Sequence, residues 1–520
     1  MDQSPIVRAR QAAKEVFGYP ALRPFQEEVF SRLFAGNDLF IVAATGQGKT
    51  AAFGIPALVL DGLTVVISPL IALMKSQVDA YDKLGISVCR LTGDMPDSYI
   101  REALRDLTQF NLVFVSPEKA TTKEFLKALK GVEVALIACD EAHAVASLYS
   151  TFRASCAHLG DLYNAHPEAI RLACTATADP HIEEDVRRVC HLRNAVRIVS
   201  SPWRENITWD FVKDASESEL VELVDDYQSK EGRQIVYVSS RQAARDISTT
   251  LSNAGLSSSY YHAGMSPNLR RSVQDQFMRG DVRCVVATSA FGMGIDVADV
   301  RLVANWQLPS SLFDLAQQGG RASRDGAPAL CWTNLGANAE KTQRYFLLLG
   351  NPPWRVYRKL WDAFSRQEGP QRWRGDVLLR VAGVGDKLAG HLSSAMSYLE
   401  FRRQIRTAPA GEVYVLQVKD KVRAARLVSA VRGARMDKDH VIYPVPRGTV
   451  DQSSVFTSNG ACYSSDPVES VVVTRLVDEL QITPDDIADR EARAEDNLEA
   501  IYEFAAADDK KAYLESVMSK

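Results

Sequence analysis

The stretch "IVAATGQGKT" (residues 41–50) runs from an apolar segment through a turn of small residues into Gly48, Lys49 and Thr50, where a helix is predicted to open. Such a turn lets successive backbone N–H groups face phosphate oxygens, with Lys49 reaching the β/γ phosphates and the Thr50 hydroxyl binding Mg²⁺. Ala43 stands where the full eight-residue pattern begins with glycine, so a chance turn competes with a nucleotide loop. A second stretch favours the loop. About ninety residues later the apolar run "VALIAC" ends in Asp140 and Glu141. An aspartate at a strand end can hold Mg²⁺ through water, and the adjacent glutamate can orient the attacking water. Zinc-protease spacing, His-Glu-x-x-His, is absent, which ranks nucleoside triphosphate hydrolysis above a zinc site.

The segments around these two stretches repeat a rhythm. "LFIVAA", "LTVVISP", "FNLVFVSP", "VALIACD" and "IRLACTAT" are β-branched runs separated by helical stretches, as buried parallel strands with crossover helices require. After "SSPWRENITW" the rhythm restarts with "RQIVYVSS", "SSSYYHAG", "RCVVATSA", "VRLVANWQLP" and "PALCWTN". The fold class is therefore α/β, with two sheets in tandem joined near residues 201–208. From Leu347 the strand rhythm stops. "NPPWRVYRKLWDAF" places Val356, Leu360 and Phe364 at four-residue steps in a helix opened by proline. Trp354, Tyr357 and Trp361 follow the same helical spacing and are read as core. In "KLAGHLSSAMSYLEFRRQIR", Leu388, Leu392, Met396 and Leu399 share a face, and "EVYVLQV" follows as a strand. Helix, helix and strand ribbon in that order predict a winged helix-turn-helix.

Charge is unevenly spread. The net charge of -4 hides 17 Lys+Arg against 7 Asp+Glu in residues 351–435, and 15 acids against 6 bases in residues 466–520. A basic module beside an acidic tail points to a polyanionic partner, nucleic acid first. The eight cysteines are widely spaced and mostly inside apolar runs, as reduced core thiols are. No run approaches the ~18 uncharged residues of a membrane span, and the opening "MDQSPIVRARQAAKEVF" lacks the apolar core of a secretory signal. A cytoplasmic protein is expected, with no membrane partner.

Ten segments in order carry a resemblance: "FGYPALRPFQ", "ATGQGKT", "SPLIALMKSQV", "FVSPEKA", "DEAH", "TATA", "YVSSRQAARD", "YHAGM", "ATSAFGMGID" and "QQGGRASRDG". Over roughly residues 14–345 the chain resembles the superfamily-two helicases, and within them the RecQ family. The resemblance implies two RecA-like domains (residues 1–203 and 204–346) with ATP in the cleft between them, DNA crossing both, and unwinding with 3′ to 5′ polarity. A winged-helix-like domain (347–435) and an acidic region (436–520) that could hold protein partners complete the expected organisation. Carried over to this chain, Tyr19 and Arg23 would sandwich adenine while Gln26 bonds its edge, and Thr45, Gly46, Gln47, Gly48, Lys49 and Thr50 would hold the phosphates. Thr50 and Asp140 would bind Mg²⁺. Gln317, Arg321 and Arg324 would reach the γ-phosphate from the second domain, with Arg324 as the arginine finger. Ser68, Thr175 and Thr177 would grip the DNA backbone or relay the nucleotide state, and His143 would link the ATP site to DNA. Arg402, Arg403 and Arg406, at the end of the recognition helix, would contact duplex phosphates.

The chain departs from the family pattern in three places. After DEAH, Leu148 replaces the usual tryptophan, beside Tyr149, with Phe152 and Arg153 retained, so the coupling of DNA to hydrolysis is expected to differ here. Gln318 stands at a usual glutamate and Ser323 at a usual glycine. The four-cysteine zinc subdomain is missing, since only Cys331 and Cys462 lie beyond residue 300, and no zinc is expected. The leading expectation is an ATP- and Mg²⁺-dependent DNA helicase of repair, recombination or genome defence. Its competitors are an ATPase acting on RNA or remodelling a complex, and a nucleotide-gated DNA-binding scaffold.

Overall fold

A computed structural model describes residues 4–519 except 44–47, 50, 147–158, 176–179, 202, 231, 292–296, 367–368, 370, 374, 403, 418–434, 438–439 and 445–467. The chain divides into a larger unit, Met1–Leu348 with Glu491–Lys520, and a smaller one, Leu349–Arg490.

The larger unit holds two parallel sheets. The first comprises β1 (Leu39–Val42), β2 (Leu63–Ile67), β3 (Val88–Leu91), β4 (Leu112–Val115), β5 (Val134–Cys139), β6 (Ile170–Thr175) and β7 (Val196–Val199), in the order β3-β4-β2-β5-β6-β1-β7. Central strands such as "LFIV", "LTVVI" and "LVFV" are buried at every residue, because helices cover both faces of a parallel sheet and leave no solvent side. The register aligns the strand ends: Val42 lies beside Thr175, and Ile67 beside Cys139. Ala43 donates to the Thr175 carbonyl at 2.9 Å, Asp140 to Ile67 at 2.9 Å and Ser68 to Val115 at 3.1 Å. The residues that follow β1, β2 and β5 therefore share one rim with the end of β6, at the carboxyl edge where open α/β sheets bind ligands.

The second sheet comprises β8 (Ile207–Val212), β9 (Arg233–Tyr237), β10 (Ser258–Tyr261), β11 (Cys284–Ala287), β12 (Val300–Asn305) and β13 (Ala329–Asn334), in the order β10-β11-β9-β12-β13-β8. Its edge strand β8 carries Trp209 and Phe211, and their cover comes from the far end of the chain. Residues Ala494, Leu498, Ile501 and Phe504 recur at helical spacing in the helix Pro484–Ala506 and join the core of this sheet, as does Leu514 of the helix Lys510–Ser519. Ion pairs Arg344–Glu495 and Lys511–Glu205, and a hydrogen bond from Tyr502 to Glu340, fasten the same segment. The acidic stretch thus hides an apolar stripe that belongs to the second domain.

The smaller unit orders a helix Trp354–Phe364, β14 (Gln371–Trp373), a helix Gly375–Ala382, a 3-10 turn Asp386–His391, a helix Leu392–Phe401, β15 (Ile405–Gln417), β16 (Arg435–Asp437), β17 (His440–Pro444) and β18 (Val468–Arg475). These strands form an antiparallel sheet in the order β14-β18-β15-β17-β16. Tyr357 and Trp361 are buried, as their spacing predicts, and Trp354 donates its indole N–H to the Ile482 carbonyl. The buried face of the helix Leu392–Phe401 is Ala395, Tyr398 and Leu399. Of the face drawn through Leu388, Leu392, Met396 and Leu399 it keeps Leu399, and the rest departs because Leu388 lies in the 3-10 turn, whose three-residue period breaks the register.

Candidate ATPase site

The rim of the first sheet brings the sequence-predicted acids and lysine together. Glu141 donates its backbone N–H to Asp140 Oδ1 at 3.0 Å, and Gln77 Nε2 donates to Asp140 Oδ2 at 3.2 Å. Gln77 must point its NH₂ at Asp140, since the flipped amide would set oxygen against an ionised carboxylate. Burial and the neighbouring Glu141 raise the Asp140 carboxyl, against the pull of Lys49 and Gln77. Glu141 goes the other way: burial opposes its charge, yet Lys49, His143 and Arg321 hold its carboxyl below the ordinary range. Two adjacent carboxyls are thus driven apart, one favouring a proton and one favouring charge. Glu141 also adopts φ 48°, a left-handed conformation uncommon outside functional sites for a residue with a side chain.

His143 sits behind this pair. Its Nδ1 is 2.9 Å from Thr175 Oγ1 and 3.4 Å from Glu141 Oε2. Burial keeps the imidazole below its usual pKa and so neutral near pH 7, despite Glu141. The ring thus lies between the Glu141 carboxylate and the end of β6.

Lys49 Nζ, Gln77 Oε1 and Glu141 Oε2 are buried and make no hydrogen bond among the described residues. An ammonium, an amide oxygen and a carboxylate left open at one rim form a donor set that fits a phosphate chain and a hydrated divalent cation. Gly48 has φ 85°, and a Cβ there would come within 2.6 Å of Gln26 Nε2. Gln26 itself is buried and accepts from the Arg23 backbone N–H at 3.0 Å. The expected adenine-edge residue therefore packs directly on the phosphate turn. Tyr19 is half-buried with its ring 5.7 Å from Phe17, and Arg23 is exposed. Thr45, Gly46, Gln47 and Thr50 lie outside the described residues, as do Leu148, Tyr149, Phe152, Arg153, Thr177 and Arg403.

The second domain supplies the opposite wall. A cavity of about 360 Å³ is lined by His143 and Ala144 from the first domain and by Tyr237, Asp314, Gln317, Gln318 and Arg321 from the second. Gln317 and Gln318 end the helix Leu312–Gly319, and the loop after it carries Arg321 and Arg324. Arg321 is the arginine whose charge acts on Glu141 across the cleft, while Arg324 lies beside Arg204 and Tyr237.

Ser323, at the usual glycine, is fully buried with φ 43°. Its hydroxyl has Asp325 Oδ1, at 3.0 Å, and the Ala327 carbonyl as acceptors for its single proton, and accepts from Asn206 Nδ2 at 3.0 Å. These bonds offset a backbone strain of about 1–3 kcal/mol that glycine would not feel. Ser323→Ala keeps the strain and loses the bonds, so denaturant unfolding should show a loss of about 1–3 kcal/mol. Ser323→Gly loses the bonds but also relieves the strain they offset, and should stay near wild type. An alanine variant as stable as wild type would contradict this account.

Other predicted residues are placed differently. Ser68 is fully buried and accepts from the Leu70 N–H. Arg402 pairs with Asp486 at 2.8 Å and donates to the Tyr398 hydroxyl at 2.8 Å, so its charge is used inside the smaller unit. Arg406 lies in β15 opposite Thr474. Gln77, Arg204 and Asn206 were not singled out from sequence, although "SPLIALMKSQV" and "SSPWRENITW" contain them; only their bonds reveal them.

Residues 23–185 match the DEAD/DEAH box helicase family and residues 216–326 the helicase conserved C-terminal domain. The chain is 40% identical over 324 residues to the ATP-dependent DNA helicase RecQ of Haemophilus influenzae, covering 62% of this chain and 52% of that protein. It is 34% identical over 329 residues to the Bacillus subtilis protein of the same name, covering 62% and 55%. The chain spans about half the length of the curated relatives it matches. In fold it is similar to the helicase MrfA bound to DNA, with a TM-score of 0.55 at 19% identity over 66% of this chain and 54% of that one. It is similar also to Mss116p bound to ssRNA and AMP-PNP, with a TM-score of 0.53 at 18% identity over 65% and 73%. No helix among the described residues is long and apolar enough to cross a membrane. Both matched segments fall on the two parallel sheets, so this part of the chain carries a DEAD/DEAH box helicase domain followed by a helicase conserved C-terminal domain, and it is similar to the RecQ helicases over that span.

Proposed function

We propose that the chain is an ATP- and Mg²⁺-dependent DNA helicase or translocase that moves 3′ to 5′ on single-stranded DNA and separates duplexes. One observation carries the reading: Lys49 and Glu141 keep open polar atoms on the rim they share with Asp140, and Arg321, which lines a cavity with His143 and Gln317, acts on Glu141 through its charge. Asp140 and Thr50 would hold Mg²⁺, which supplies charge neutralisation at the phosphates when bound. Glu141 would orient the attacking water, and Arg324 would serve as the finger when the cleft closes. The basic stretch 351–435, read as a winged helix, would grip duplex phosphates without reading sequence, so affinity would fall steeply with salt. A cytoplasmic role in repair, recombination or genome defence fits this activity, and the acidic region remains a candidate protein contact.

The test is ATP turnover and strand separation on duplexes with 3′ or 5′ overhangs, in DNA and RNA versions. DNA-stimulated turnover with 3′-overhang unwinding is expected. Preference for 5′ overhangs overturns the polarity, equal stimulation by RNA overturns the substrate, and absence of turnover favours a nucleotide-gated scaffold. Glu141→Gln should lower kcat by about 10²–10⁴-fold while retaining ATP binding, because it removes only the charge that orients water. Unchanged turnover in that variant would remove Glu141 from the chemistry.

A further inference from the structure

The segment joining the two sheets, between β7 and β8, bonds to the loop that carries the second domain's arginines. Arg204 donates through one nitrogen to the Ala322 carbonyl at 2.9 Å and the Gly320 carbonyl at 3.4 Å, and through the other to the Ser323 carbonyl. Two residues on, Asn206 Nδ2 reaches the Ser323 carbonyl at 3.1 Å, Ser323 Oγ at 3.0 Å and the Ala327 carbonyl at 3.0 Å. The carbonyls on both sides of Arg321, and the residue before Arg324, are thus held by two side chains lying more than a hundred positions earlier in the chain. A helix ends at Gly319, and carbonyls of its last turn and of the loop after it need donors; a planar fork of five N–H groups can serve several at once where lysine offers one point charge. The same segment is anchored from another direction, since Glu205 pairs with Lys511 at 2.6 Å and Ser201 donates to Glu515 at 2.5 Å.

We infer that Arg204, with Asn206, is a positioning residue for phosphoryl transfer: it fixes the backbone from which Arg321 and Arg324 reach the nucleotide. The inference rests on the proposed ATPase reading. Arg204 acts through the finger loop, to whose carbonyls its guanidinium is bonded. Arg324 lies close enough that its charge, after burial, lowers the Arg204 pKa, so the two guanidiniums are neighbours with no mutual attraction. The carbonyls, together with the charge of Asp325, keep Arg204 in place, and in return it sets their geometry. The phosphate turn and the adenine segment lie in the first domain, so losing this support should strike turnover and spare nucleotide binding.

The experiment compares wild type, Arg204→Ala, Arg204→Lys, Arg324→Ala and the double variant Arg204→Ala/Arg324→Ala. It measures ATP kcat and KM, the Kd of a fluorescent ATP analogue, and thermal unfolding, each on the full chain. Arg204→Ala should lower kcat by about 10²-fold, as misplacement by an ångström can, with the analogue Kd within about twofold. Arg204→Lys should fall between it and wild type and keeps the question open to test if the alanine variant does not fold. The double variant should be slower than Arg324→Ala by much less than the whole factor of Arg204→Ala, because only the support of Arg321 is then left to lose. Full kcat in both Arg204 variants, or a double variant slower than Arg324→Ala by the whole factor of Arg204→Ala, overturns the inference. A wild type without turnover overturns the ATPase reading and this inference with it, whereas an active wild type with insensitive Arg204 variants overturns this inference alone.

Discussion

Arg324→Ala should reduce DNA-stimulated ATP turnover by about 10³–10⁵-fold, the range a trans-domain arginine supplies to phosphoryl transfer. Nucleotide affinity should change little, because Gln26, Gly48 and Lys49 all belong to the first domain and pack on one another without help from the second. Arg324→Lys should recover only a small part of the loss: a point charge cannot reproduce the planar fork that meets two phosphate oxygens. Arg321 offers the internal comparison. Its charge acts on Glu141 and it lines the cleft, so Arg321→Ala should disturb the glutamate as well as the transition state. Steady-state kinetics with a parallel binding titration separates these contributions. Turnover of Arg324→Ala within tenfold of wild type would reject Arg324 as the finger.

The residues proposed for phosphate chemistry are legible because that chemistry restricts residue type and place. Lys49 must follow a small-residue turn, and Asp140 must end a buried strand; strands covered on both faces read as unbroken apolar runs. What the sequence hid is held together by distant partners. The run "ITWDFV" of β8 passes for a linker because Trp209 and Phe211 take apolar cover from Phe504, almost three hundred positions away, and the acidic residues around Phe504 in turn disguise the stripe that does the covering. Ser323 could be seen to replace a glycine, but the compensation comes from Asn206. Arg402 could be seen as a cation, but Asp486, which consumes its charge, lies in the tail. Local pattern exposes one side of each pair, and the fold chooses the other.

Phe504→Ala should destabilise the larger unit by about 3–5 kcal/mol, the cost of emptying a buried aromatic site. Phe504 is fully buried, with its ring 5.4 Å from Trp209 at 79° and 5.7 Å from Phe211 at 88°, edge-to-face contacts that add to simple burial. The site cannot collapse easily around the gap, since Trp209 is confined elsewhere by Gly319, where even a Cβ would come within 2.3 Å of the indole. Asp496→Ala, on the exposed side of the same helix, should change stability by less than about 0.5 kcal/mol, which separates lost packing from lost helix charge. Denaturant unfolding of both variants decides the matter, and a Phe504→Ala loss below 1 kcal/mol would show that the tail merely rests on β8. Gly319 ends the helix bearing Gln317 and Gln318, so an indole loosened by the missing ring would also free the cleft's second wall to shift. The variant should therefore lower kcat for ATP, with nucleotide affinity little changed, at temperatures where it is still folded, a coupling that a tail serving only as an acidic surface would not produce.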